Sequence, residues 1–528
     1  MPRAEARPGA SRPPGGVAAQ KFVPVDKDPR RSRGQHAGMK RTFPIAAVLL
    51  LALPAAARAD SLDAYNKGVL PNSVAINSMW VILAGVLVFF MQAGFAFLEI
   101  GFSRAKNAGT VVAKILTNMS IAALGYWAVG FAFAFGIGDI IGTKGFFLIN
   151  YGDPQKAFFP DGLGLSNATI EAKWFFQYVF CAVSLAIVWG TTLERIKFGV
   201  YVMYAIVFST LIYPIGSHWV FGGGWLQSNL GMQDFAGSTA VHLIGAAGGL
   251  AVLLHLGPRR GKYGKDGKAR AIPGHNMPLF GLGILILWLG WFGFNPGSTL
   301  NAQDGRFPEV LLVTNLAAAA GVLGALLVAR LKTGSLDIGM AGNGAIAALV
   351  AITAPSGYVE AWTAPIIGGI AGLIVPLCIY AIDKKLDDPV GALSAHGVAG
   401  IWGTLSCGIF TAPRFAEYNA FGDPGLIYSG SFKQLGTQAL GVVVVFAFVF
   451  ILSWLTFAAI KAILGGSLRV TPDEEDAGLD ISEHGMYGYP EQFIPAPELI
   501  GYAPDPEVAA ELGRTGRTAT AYREEAKV

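Results

Sequence analysis

The chain has 528 residues, 53% of them apolar and only 14% charged, with a mean hydropathy of +0.49. A soluble protein carries about 25% charge, so an ordinary soluble enzyme is excluded, and a net charge of +4 leaves no electrostatic footprint for nucleic acid. The 69 glycines among 528 residues are nearly double the usual share of about 7%, which suits transmembrane helices packed backbone to backbone.

Residues 1–38 are rich in Pro, Gly, Arg and Lys, without apolar periodicity, and cannot build a core. Met39-Lys40-Arg41, the apolar run Phe43–Leu53 and Ala57-Arg58-Ala59 follow. That order is a secretory signal peptide, which begins at its own methionine and is cut after A-x-A. Translation is therefore expected to start at Met39, with 1–38 an upstream extension, 39–59 the signal peptide and Asp60 the first mature residue. The alternative is a genuine cytoplasmic extension with Phe43–Leu53 as a short anchor. A transmembrane domain over 60–465 and a cytoplasmic tail over 466–528 complete the expected organisation.

Hydropathy predicts an all-α membrane protein with eleven spans, at 75–102, 108–136, 173–193, 197–219, 234–257, 277–298, 308–330, 335–354, 362–383, 389–411 and 434–465. Gly and polar residues interrupt the eighth and tenth. With the N-terminus outside, the inner ends collect Arg104, Lys106, Arg195, Lys197, the basic loop Arg259–Arg270, Arg330, Lys332, Lys384 and Lys385. The opposite loops are longer and sparser in positive charge, so the N-terminus is outside and the C-terminus inside. Cys181, Cys378 and Cys407 lie far apart in apolar segments and read as core residues, with neither disulfide nor metal spacing.

Ionisable residues within spans are costly and are functional candidates. Asp234 precedes His242 by eight residues, and Asp388 precedes His396 by eight. Eight helical residues advance about 12 Å, which puts each imidazole near the midplane if its Asp lies at a membrane face. The two copies enter from opposite faces, as an inverted repeat of helices 1–5 and 6–10 with a midplane site requires. Taken singly, each histidine reads more readily as a packed core residue; the repeated Asp–His spacing reverses that reading.

Three further clusters surround this pair. Phe176-Gln177-x-x-Phe180 puts two rings on one helical face, as a plug or as ordinary packing. Trp291-Phe292-Gly293-Phe294-Asn295-Pro296-Gly297-Ser298 ends the sixth span, where the proline is expected to break the helix and free carbonyls and the Ser298 hydroxyl. His218-Trp219-Val220-Phe221-Gly222-Gly223-Gly224-Trp225 puts rings at the outer face, suited to a small cation or to an interfacial belt.

Together with Arg104-x-Lys106-Asn107, Glu194-Arg195, Asp387-Asp388-Pro389, His396-Gly397, Gly478-Leu479-Asp480 and His484-Gly485, these motifs resemble the ammonium transporter family from about residue 93 to 489. The resemblance implies a homotrimer with one narrow pore per subunit of eleven helices, expected in the cell inner membrane. A membrane enzyme using His and Asp is a further rival, but no nucleophile, cofactor motif or metal-ligand spacing supports it. No cofactor, no metal and no enzymatic activity are therefore expected. Phe221, Ser298 and Phe176 would bind ammonium (methylammonium as analogue) at the periplasmic mouth. Phe176 and Phe180 would gate the pore with Phe294; Trp291, His242 and His396 would line it; Asp234 would support the recruitment site. The tail 468–489, with its acidic run Asp473–Asp476, would lie where a PII-class nitrogen-signalling protein docks. Two departures stand out: Phe221 where the family usually has tryptophan, and Glu99 where some members have tyrosine. Glu99 could simply pair with Arg104 or Lys114. An ammonium sensor and a Rhesus-type gas channel are the rival readings; sensors commonly carry an attached signalling domain, and only about sixty residues follow the last span.

Overall fold

A computed structural model describes residues 72–148 and 168–493; the expected start, the signal peptide and the residues after 493 lie outside the described residues. Without water, a backbone must satisfy its own N–H and C=O groups, so each apolar stretch closes as helix. Among the described residues, ten helices are long and apolar enough to cross a membrane: α1 (Asn72–Phe102), α2 (Ala105–Phe135), α3 (Ile170–Gly190), α4 (Phe198–Ser228), α5 (Ser238–Leu256), α6 (Met277–Gly297), α7 (Arg306–Thr333), α9 (Ala361–Ile382), α10 (Leu393–Phe410) and α11 (Lys433–Ile463). Between α7 and α9 lies α8 (Ile338–Thr353), apolar but only 16 residues long. The Asp337 carboxylate caps it by accepting the Met340 N–H at 2.9 Å. The described residues hold no strands, only two isolated bridges.

The helices pack in two matching sets. α1 lies along α6; α1 packs on α3 as α6 does on α8; α2 meets α4 as α7 meets α9; α3 meets α5 as α8 meets α10. The two sets also meet where α5 touches α10. Glycine sets the α1–α6 approach: a Cβ on Gly283 would stand 2.5 Å from the Leu98 nitrogen and 2.7 Å from the Gly94 oxygen. Outward faces carry Leu285, Leu323, Leu327, Ile451 and Leu455, all exposed, as lipid-facing surfaces require.

At the end bearing the basic loops, buried charges tie four connections together. Arg104 Nε donates to Glu194 Oε2 at 2.6 Å, and Arg259 lies 3.7 Å from the same carboxylate. Glu194 takes a left-handed backbone conformation, φ 71°, a strain that non-glycine residues accept only where surroundings over-determine it. Arg259 forks onto Asp387 with two bonds of 2.9 Å, and its backbone N–H adds a third at 2.7 Å. Burial alone would raise the Asp387 carboxyl; the hydrogen bonds and charge of Arg259 outweigh it and hold the group at about 2. The tail docks on this end. Asp480 accepts the N–H groups of Gly109 and Thr110 at 2.9 and 2.8 Å, and Arg260 pairs with Asp476 at 2.9 Å. The acidic run is thus partly bound rather than wholly solvated, with Glu475 buried against Arg469.

Candidate functional site

At the end opposite the basic loops, a cavity of about 250 Å³ opens between the ends of α2, α3, α4 and α6 and the start of α5. Phe176, Gln177, Phe180, Phe221, Asp234 and Ser298 line it, with Phe135, Phe235, Tyr358 and Asp304. The Ser298 hydroxyl donates to the Phe294 carbonyl at 2.9 Å, which leaves its oxygen lone pairs free to accept. Gln177 Oε1 is buried without a hydrogen-bond partner. A Cβ on Gly297 would stand 2.8 Å from the Phe176 ring, so glycine there makes room for the aromatic plug.

Asp234 is bound up in the backbone beneath. Its Oδ1 accepts from Gly237 and Ser238, and its Oδ2 from Thr239 and Ala240, at 2.7 to 3.0 Å. Those are the donors that a helix start leaves without partners, which is why α5 begins at Ser238 rather than at the expected 234.

Below the cavity the rings form a column. Phe176 and Phe180 have centroids 4.6 Å apart, and Phe180 stacks on Phe294 at 4.0 Å. Phe294 lies 5.5 Å from the His242 ring, and Trp291 stacks on that ring at 5.4 Å. Trp291 is fixed by its N–H donating to Thr353 Oγ1 at 3.0 Å.

His242 and His396 then face each other, Nδ1 to Nδ1, at 3.2 Å with planes 19° apart. Both are buried. At this separation one neutral ring donates and the other accepts, so each imidazole fixes its partner's tautomer. The His242 Nε2 has no protein partner. Each histidine lies in a wide helical turn, Ser238–Leu243 and Leu393–Val398, of the kind that recurs at functional sites. Ser184 Oγ donates to the Val241 carbonyl at 2.8 Å, satisfying backbone inside the first of these turns.

Two expectations are corrected. Asn295-Pro296-Gly297 does not free its carbonyls: α6 runs through Pro296 to Gly297, and the oxygens of residues 295, 296 and 297 accept from the N–H groups of Ser298, Thr299 and Leu300. Proline removes only its own N–H, so the helix continues until a tight turn closes it. Of the two partners expected for Glu99, Arg104 is taken by Glu194, while Lys114 acts on it through its charge without a hydrogen bond, neither Glu99 oxygen having such a partner. In the stretch 218–225, Phe221 lines the cavity while its neighbours brace the end of α2. His218 has both ring nitrogens against the Ala134 and Gly138 carbonyls, at 2.9 and 2.7 Å, and Trp219 donates to the Ile140 carbonyl at 2.8 Å.

A bundle of apolar helices around a buried column of rings with two facing imidazoles defines the class: a polytopic helical membrane protein. Residues 79–489 match the family model of the Ammonium Transporter Family. Ammonium transporter Amt2 of Archaeoglobus fulgidus is 43% identical over 470 residues, covering 86% of this chain and 97% of that protein. Two solved structures are similar. One, described as a Sensor Amt Protein, has a TM-score of 0.71 at 37% identity over 78% of this chain and 99% of its own. The other is Candida albicans Mep2, with a TM-score of 0.69 at 30% identity over 80% of this chain and 91% of its own. The chain belongs to the ammonium transporter family, whose curated relatives are named as ammonium transporters.

Proposed function

We propose that the protein takes up ammonium across the cell inner membrane as a homotrimer. Each subunit would cross eleven times as an inverted repeat, N-terminus outside and C-terminus inside. The observation that carries this reading is the pair of imidazoles 3.2 Å apart beneath the phenylalanine column. Ammonium and potassium are alike in charge and size, so selectivity must come from chemistry. A cation sheds its water only for matched acceptors, and below Phe180 the ring column offers it few besides imidazole nitrogen. Ammonium can leave a proton behind and pass as ammonia; potassium cannot.

In this reading Phe221, Ser298 and Phe176 recruit the cation at the mouth, and Asp234 holds the frame of the recruitment site. Phe176 and Phe180 gate the entrance with Phe294, and Trp291, His242 and His396 conduct ammonia. The docked tail supplies a structured surface for a PII-class signalling protein. A second reading, an ammonium sensor on the same fold, is favoured by the similarity to the Sensor Amt Protein.

The test is uptake of labelled methylammonium into vesicles containing only the purified protein. Saturable uptake competed by ammonium is expected, and none above protein-free vesicles would overturn the reading. Tryptophan is the best cation–π ring, such contacts being worth about 0.5 to 2 kcal/mol. In the same assay Phe221→Trp is therefore expected to tighten apparent affinity a few-fold, with little change in maximum rate. Unchanged affinity would make Phe221 a wall residue.

A further inference from the structure

On the side of the imidazoles toward the basic end lies a second cavity of about 20 Å³. A water-sized guest needs about 10–15 Å³ by this measure, so the cavity admits one such molecule. Glu99, His396, Asn343, Phe95 and Leu287 are among its walls. Glu99 is 1% exposed, yet neither carboxylate oxygen has a hydrogen-bond partner. Its Oε1 lies 3.7 Å from where a Cβ on Gly190 would stand. A buried carboxylate left bare is costly, and this one borders a space of guest size together with an imidazole.

The polar groups around it do not neutralise it by contact. Lys114 of α2 acts on Glu99 through its charge, but its ammonium is directed to Thr192 Oγ1 at 3.5 Å. Tyr201 of α4 donates to the Lys114 carbonyl at 2.7 Å. Asn343 of α8 donates to the Gly339 carbonyl at 3.1 Å, and His396 of α10 faces His242. α6 offers Leu287, and α3 offers Ala186, Ile187 and Gly190.

We propose that Glu99 is the inner proton donor and cation site, where ammonia leaving His396 becomes ammonium again. This rests on the transport reading above. The carboxyl O–H bond breaks as an N–H bond forms on the ammonia lone pair, leaving a carboxylate paired with ammonium. When ammonium leaves for the inner water, the carboxylate takes a proton from hydronium there. No electrons are transferred.

The test compares wild type, Glu99→Gln and the double variant Glu99→Gln/Lys114→Met in vesicles at several internal pH values. Initial methylammonium uptake by wild type is expected to rise as internal pH falls. Glu99→Gln is expected to lose that dependence and to slow by roughly tenfold, less than a positioned proton donor usually contributes because inner water also protonates ammonia. The double variant is expected to stay slow. If it recovers the wild-type rate, Glu99 only balances Lys114 and the proposal falls. Wild-type rate and pH dependence in Glu99→Gln would overturn it while leaving the transport reading intact. A wild type that takes up no methylammonium would overturn both. Unchanged size-exclusion profiles and unfolding temperatures keep misfolding from imitating the expected result.

Discussion

Alanine at His396 is expected to abolish selective uptake, and alanine at His242 to do the same. Each ring supplies the other's only hydrogen bond at Nδ1, inside a fully buried site. Removing one leaves a buried nitrogen unsatisfied, at a cost of about 1–3 kcal/mol. It also removes a ring's volume from a column bordered by Phe294, Trp291 and Phe95. That space exceeds the roughly 10–15 Å³ that admits a water, and a wetted column no longer forces a cation to shed its charge. Methylammonium uptake is expected to fall by on the order of 100-fold, the low end for positioned acid–base groups, or potassium to begin to leak. Both variants transporting with unchanged selectivity would reduce the imidazole pair to packing.

The second large effect concerns stability. Asp387→Asn removes the charge and one of the two acceptor oxygens on which the buried Arg259 forks, leaving Glu194 at 3.7 Å as its other carboxylate. Breaking such a pair from one side costs about 3–5 kcal/mol, read as a lower unfolding temperature in detergent. The wild-type contribution also has a pH signature. The folded carboxyl stands at about 2 against an ordinary 3.8, so its stabilisation is complete above 3.8 and is lost as pH falls through 2. Nearly two pH units correspond to about 2 kcal/mol. The gap between wild type and Asp387→Asn should therefore narrow by that amount between pH 5 and pH 2. A gap that is small at pH 5, or constant with pH, would mean that the Arg259–Asp387 fork does not stabilise the fold. The fork matters to the column because Asp387 lies next to Asp388, whose Oδ2 accepts the Leu393 N–H at 2.7 Å at the start of the His396 turn.

Ten helices were legible because each is a long apolar run, whereas α8 has only 16 residues; the histidine pair was legible because the Asp–His interval repeats. Ring order along the column followed from residues already grouped by motif, such as Phe176 with Phe180 and Trp291 with Phe294. Other features depend on convergence that no local spacing records. Glu194 is the clearest case: its motif neighbour Arg195 was visible, but not that its carboxylate would gather Arg104 and Arg259 from two other connections. Gln177 stands out in the sequence only as part of the Phe176–Phe180 motif, and its unpartnered oxygen in the mouth depends on tertiary packing. The wide turns around both histidines have no sequence signature; in the first, the Val241 carbonyl is taken up by Ser184 of α3. Pro296 misled for a physical reason: near a helix C-terminus its missing N–H costs one bond, and the following tight turn consumes the carbonyls that were expected to be free.

The central claim is that charge is left behind above the imidazoles. Its most direct test is potassium flux beside methylammonium uptake, in the same vesicles containing purified wild-type protein. The account predicts saturable methylammonium uptake that excess potassium does not inhibit, with potassium flux no greater than in protein-free vesicles. Potassium carried at a rate comparable to methylammonium would contradict it.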